Sequence, residues 1–215
     1  MWLKCINPRL PAAGFTLVEV EVSTLLMLIV SATIFATYRF QMFVLKAQEV
    51  QLDAQQSARS MMDLMSREIR LAGYDPTCAK SFAGIADAGP QRLQVQFDSN
   101  ADGAIGAGES VLYAYDASLQ QISRTAGGAA TPLVSSLLAN ALTFSYYDPS
   151  GALLAPTGSP PALTATQRDM VRRVKVLLHV QRANPDPQNS SYLISDLVSS
   201  VDLRNRFLNN GVACP

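Results

Sequence analysis

Between Asp98 and Glu109 the chain gathers oxygen-bearing side chains at a spacing suited to wrapping one cation. Asp98, Asn100 and Asp102 take alternate positions, Gly103 follows at the sixth place and Glu109 closes the run at the twelfth. This satisfies the calcium-loop pattern D-x-[DN]-x-[DN]-G-x5-E at every specified place. Carboxylate and amide oxygens can surround the ion, the glycine permits a sharp turn, and the last glutamate can close the shell with both oxygens. Ala104 would add its backbone carbonyl, and Gly106 at most a water. Ca2+ is the expected cofactor, because this donor set offers more ligands than the octahedron of Mg2+ takes. Without a cation, Asp98, Asp102 and Glu109 repel one another. The plain alternative is a polar turn rich in Asp and Asn that needs no metal.

The second place for chemistry is Glu19, a carboxylate at the head of an apolar run. Gly14-Phe15-Thr-Leu-Val-Glu19 precedes Ser23–Tyr38, which holds no charge, glycine or proline. Lys4 and Arg9 stand ahead of it. A secretory signal peptide has the reverse order, apolar core first and small-residue cleavage site after. A carboxylate beside lipid is costly unless it finds a partner. Glu21, nearly a turn further on, has no role that the sequence assigns.

Other chemistry has little to work with. His179 is the single histidine, so histidine-based metal sites and acid–base catalysis lack their usual groups. No Gly-x-Ser-x-Gly elbow accompanies it, and enzymatic activity is not expected. Basic and acidic residues balance, 17 against 17, which gives no general reason to expect nucleic acid. Arg168, Arg172, Arg173, Lys175 and Arg182 alternate with apolar residues and read as the wet face of a strand. Aromatic side chains for stacking bases are not interleaved among them.

Two kinds of element must position these residues. From Phe15 to Ala72 there is neither Gly nor Pro; helical throughout, this stretch would run roughly 87 Å. Val22–Val44 is apolar nearly all round and long enough to cross a bilayer, with Arg39 placed to snorkel at its far end. Val50, Ala54, Ala58, Met61, Met65, Ile69 and Ala72 then recur at three- and four-residue intervals, a one-sided stripe suited to packing on a sheet. Gly73 supplies a left-handed cap and Pro76 blocks resumption. Beyond it the pattern turns to strands. Leu93, Val95 and Phe97 share a face, as do Val111, Tyr113 and Tyr115, so the cation loop would sit at a hairpin tip and not between two helices. Further strands are expected at Gln120–Arg124, Leu142–Tyr147, Met170–Arg182 and Tyr192–Arg204. Asp148–Thr166 reads as a loop, and Leu133–Ala139 fits a short helix or a strand equally. The layout is α+β, one long N-terminal helix packed on an antiparallel sheet.

Gly14-Phe15 with Glu19 four residues after the Phe resembles the prepilin processing site of type IV pilins and type II secretion pseudopilins. Arg67-Glu-Ile-Arg-Leu-Ala-Gly-Tyr74 and Val201-Asp-Leu-Arg-Asn205 resemble PilW-type minor pilins, with GspJ-type pseudopilins as near relatives. The resemblance implies a pilin-like fold and a peptidase that cuts after Gly14 and methylates Phe15. It also implies that Glu19 neutralises the N-terminal amine of a neighbouring subunit. Residues 1–14 would be leader, 15–44 the membrane-anchoring and filament-core half of the helix, and 45–215 an exported domain. Cys5 would leave with the leader, and the remaining Cys78 and Cys214 read as a disulfide in an exported domain, or else as two unrelated buried thiols. The implied function is that of a minor type IV pilin in the bacterial inner membrane, with its domain in the periplasm and its place at the pilus base or tip. Its partners would be prepilin peptidase, the inner-membrane assembly platform, and other minor and major pilins. The alternatives are a type II secretion pseudopilin and a calcium-dependent adhesive or DNA-binding pilus module.

Overall fold

The computed structural model describes residues 14–78, 82–135, 140–187, 189 and 191–205. The chain divides into a unit ending at Leu45 and a unit beginning at Lys46. Helix α1 (Leu17–Leu71) runs through both. It starts where the sequence can cap it. Thr16 Oγ1 accepts the Glu19 N–H at 3.3 Å while the Glu19 carboxylate accepts the Thr16 N–H at 2.9 Å, the reciprocal bonds of a capping box. Within the N-terminal unit every described residue is exposed except the half-buried Phe43, over which the Arg39 guanidinium stacks at 5.8 Å. This segment is long and apolar enough to cross a membrane by length and composition.

In the second unit the helix turns amphipathic. Ala54, Ala58, Met61, Met65, Ile69 and Ala72 are buried, together with Met62, while Val50 at the head of the stripe is half-buried. These side chains pack against two antiparallel sheets and share one core with them. The first sheet is a meander of β1 (Ile85–Ala88), β2 (Arg92–Gln96), β3 (Ser110–Asp116), β4 (Gln121–Ala126) and β5 (Ala129–Val134). The second has the order β7-β6-β8-β9, from β6 (Leu142–Tyr147), β7 (Leu153–Leu154), β8 (Arg173–Ala183) and β9 (Tyr192–Asp202). The layout is α+β and pilin-like.

The single expected sheet is therefore two. Leu142, Phe144 and Tyr146 share a face that meets the alternating Val174, Val176 and Leu178, all buried, and β6 pairs with β8 across more than two dozen intervening residues instead of extending the meander. Two further departures are local. Thr164 and Gln167 form a second capping box that starts α2 (Ala165–Met170), so the segment opening at Met170 begins as a helix end and β8 starts only at Arg173. Leu133 and Val134 close β5, while residues 136–139 of that ambiguous stretch lie outside the described residues. Tyr192–Asp202 forms one strand.

Candidate functional site

The expected cation loop connects β2 to β3, with Gln96 and Ser110 paired at its base. Phe97 N–H donates to the Glu109 carbonyl at 3.0 Å, and Asp98 N–H to the Tyr74 carbonyl at 2.8 Å. The loop thus stands on both the hairpin and the turn that follows α1. Asp98 is fully buried, Glu109 nearly so, and Asp102 is exposed.

These three carboxylates converge. One oxygen of each lies within 4.8 Å of the other two. A cation about 2.4 Å from each of two oxygens sets them at most twice that apart, about 4.8 Å, so the spacing is compatible with one Ca2+. Gly103 at the sixth position adopts φ +77°, the left-handed conformation that makes glycine suit the turn.

The loop's own donors already answer the carboxylates. Asp98 Oδ1 accepts the Ala101 N–H at 2.7 Å and Oδ2 the Gly103 N–H at 2.9 Å. Glu109 Oε1 accepts from the Ser99 N–H and hydroxyl, both at 2.8 Å, and from the Asn100 N–H at 3.2 Å, while Oε2 accepts the Gly106 N–H at 2.7 Å. The Gly106 N–H, followed by the Ser99 hydroxyl and N–H, holds the Glu109 carboxyl down at about 2 against an ordinary 4.5. Repulsion among the carboxylates is accordingly offset by backbone dipoles before any ion arrives. Asn100 is tied to Asp102 in both directions, at 2.9 and 3.1 Å, and Ala104 enters through its N–H on Asp102 Oδ1 at 2.8 Å. The structure brings Asp98, Asp102 and Glu109 together; Asn100, Ala104 and Gly106 serve in the scaffold around them.

Residues 47–158, which hold this loop and the amphipathic part of α1, match the family model described as prepilin peptidase-dependent protein B. The chain belongs to that family. Membership makes it a pilus-related protein. No curated protein and no solved structure matches the chain.

The family match begins after the N-terminal motif. There, Gly14 and Phe15 lie exposed just ahead of α1, and the Glu19 carboxylate folds back on Thr16, whose hydroxyl donates to it at 3.0 Å. A carboxylate in the first turn is favoured by the helix dipole. Glu21 is exposed. Cys78 is disulfide-bonded, and Cys214 lies outside the described residues.

Of the basic stretch, Arg173 and Lys175 lie on β8 away from its buried face and Arg182 lies near the end of that strand, whereas Arg168 falls in α2 and Arg172 precedes the strand. Arg172 is buried and donates to the Asp169 and Val171 carbonyls at 2.8 and 3.1 Å, because the turn out of α2 folds it inward. Arg173 pairs with Asp202 at 2.7 Å, and Arg182 reaches the Ser135 carbonyl at 2.7 Å. On the outer face of β8, His179 bonds Asp196 through Nδ1 and Gln181 through Nε2.

Sequence reasoning missed the polar clasp between α1 and the first sheet. Glu68 Oε1 receives Arg124 Nη2 at 2.6 Å, Arg124 Nε lies 3.1 Å from both carboxylate oxygens, and the Tyr113 hydroxyl donates to Oε2. Burial and the adjacent carboxylate raise the Tyr113 phenol, and the bond to Glu68 raises Arg124 further. The only sequence signal was a carboxylate beside Ile69 of the buried stripe, with nothing to name its partner.

Proposed function

We propose that this protein is a minor type IV pilin of the PilW type, a structural subunit for pilus assembly at the filament base or tip. The observation that carries the reading is the N-terminal arrangement: Gly14-Phe15 exposed before a capped helix, Glu19 in its first turn, and an apolar segment long enough to span a membrane. Membership of a prepilin peptidase-dependent family supports it.

On this reading the peptidase cuts after Gly14 and methylates Phe15, and residues 15–44 anchor the subunit in the inner membrane with the remainder in the periplasm. Glu19 exchanges its contacts with Thr16 for the N-terminal amine of a neighbouring subunit during assembly. The partners are other minor and major pilins and the inner-membrane assembly platform. The work is packing and not catalysis, in keeping with a lone histidine already bonded on both ring nitrogens. Cys78 pairs with Cys214, which a thiol count on exported protein tests. Mass spectrometry of the mature protein decides the main reading. An N-terminus at methylated Phe15 is expected, and an intact leader in cells with active peptidase overturns it. Chromosomal neighbours separate a pilin from a type II secretion pseudopilin.

A second role rests on the convergence of Asp98, Asp102 and Glu109: the loop binds Ca2+. Asp98 and Glu109 supply buried oxygens, Asp102 faces solvent, and the ion would add a divalent charge to a turn already set by its own N–H groups. Binding stiffens the β2–β3 connection through contacts it already makes.

A further inference from the structure

Where the two sheets meet, a cleft of about 560 Å³ opens between the start of β2, the end of β3, the approach to β6 and the Pro160–Pro161 turn. We propose that this cleft binds a neutral saccharide unit. Its volume lies within the range of small-ligand sites, and its walls are tied in place. Phe144 N–H donates to the Pro90 carbonyl at 2.7 Å and Tyr115 N–H to the Gln91 carbonyl at 3.0 Å. Beneath them the buried Tyr146 hydroxyl lies 2.7 Å from the Gly89 carbonyl and 3.1 Å from that of Arg92. A Cβ at Gly89 would stand 3.0 Å from both the Pro161 carbonyl oxygen and Arg92 Cγ. A glycine there lets the proline turn and the arginine close in and shape the wall.

The lining selects the ligand class. Pro90, Pro160, Pro161 and Tyr115 give an apolar platform, while Gln91 and Asn140, joined at 2.9 Å, and Thr143 edge it. Primary amides and a hydroxyl both donate and accept, which matches the dual character of sugar hydroxyls. The single cation, Arg92, is paired with Asp87 at 2.8 Å, so the cleft carries no unbalanced charge to attract a phosphate or carboxylate. An extended peptide is served poorly. β2 is paired on both sides, the Phe144 N–H on the cleft side of β6 is already taken by the Pro90 carbonyl, and proline-rich segments dock on several aromatics where this wall offers one.

The detergent-solubilised full-length chain, screened on an array of neutral oligosaccharides and titrated calorimetrically with the best hit, tests the proposal. The expected result is saturable binding that weakens at least tenfold in both Gln91→Ala and Thr143→Val, with each variant melting within a few degrees of the parent. The valine keeps the threonine shape and removes only its hydroxyl. No saccharide bound, binding that survives both variants, or binding of a hexaproline peptide in place of saccharide each overturns it. The outcome is independent of whether Phe15 is found as the processed N-terminus.

Discussion

Gly84 lies against Gly73 so closely that a Cβ at Gly84 would stand 2.7 Å from both the Cα and the nitrogen of Gly73. Gln96 joins the two: its carbonyl accepts the Gly73 N–H at 2.8 Å, and its N–H donates to the Gly84 carbonyl at 3.0 Å. The end of α1, the lead into β1 and the last residue of β2 therefore meet backbone to backbone, immediately before the cation loop. Gly73 is left-handed at φ +76°, as a helix-terminating glycine commonly is.

Gly84→Ala inserts a methyl where neither neighbour can yield a side chain. Overpacking of this kind costs about 1–3 kcal/mol, and a fall in melting temperature of the full-length chain checks it. A melting temperature equal to that of the parent would show that the glycine contact is slack.

Arg124→Met leaves the Glu68 carboxylate, whose side chain is 12% exposed, with the Tyr113 hydroxyl as its remaining partner in the clasp. Leaving such a group under-satisfied costs about 1–3 kcal/mol. Adding Glu68→Gln to Arg124→Met should recover part of that loss, since the charge needing a partner is gone. Chemical denaturation of the single and double variants measures the coupling, and strictly additive losses would refute it.

Acid should act on the cation loop through Glu109. Its carboxyl is lowered in the folded chain from 4.5 to about 2, so its contribution to stability is complete above the unfolded value and is lost as pH falls through the folded one. The melting temperature should drop across this acid window, and Glu109→Gln should flatten that part of the profile while lowering stability near neutrality. An unchanged acid profile in the variant would mean that the four hydrogen bonds do not set the response.

Millimolar Ca2+ should raise the melting temperature of the full-length chain. Extracellular calcium modules bind at about 0.1–1 mM, and a tenfold excess over Kd stabilises by about 1.4 kcal/mol. The Asp98→Ala, Asp102→Ala double variant should lose the calcium-dependent increment, whatever its melting temperature without the ion, because Asp98 also anchors Ala101 and Gly103. Calorimetry with no uptake at several millimolar would leave the loop as a hydrogen-bonded turn.

What the sequence determined by itself is what local repetition and short spacing encode. The helical stripe from Ala54 to Ala72, the glycine that ends it, the alternation of β2, β3 and β8, and the convergence of Asp98, Asp102 and Glu109 each depend on residues within one element or one turn. Only the tertiary structure decided the partners. Nothing near Leu142 in the chain says that β6 pairs with β8 and so begins a second sheet, and nothing near Glu68 names Arg124. The cleft beside Tyr115 arises where separate strands and a proline turn meet. Such contacts form between residues far apart in sequence, and their selection depends on how the whole apolar surface is buried at once. Asp98, Asp102 and Glu109 could be read as a site from their spacing. That backbone N–H groups satisfy Asp98 and Glu109 could be seen only once the hairpin had closed around them.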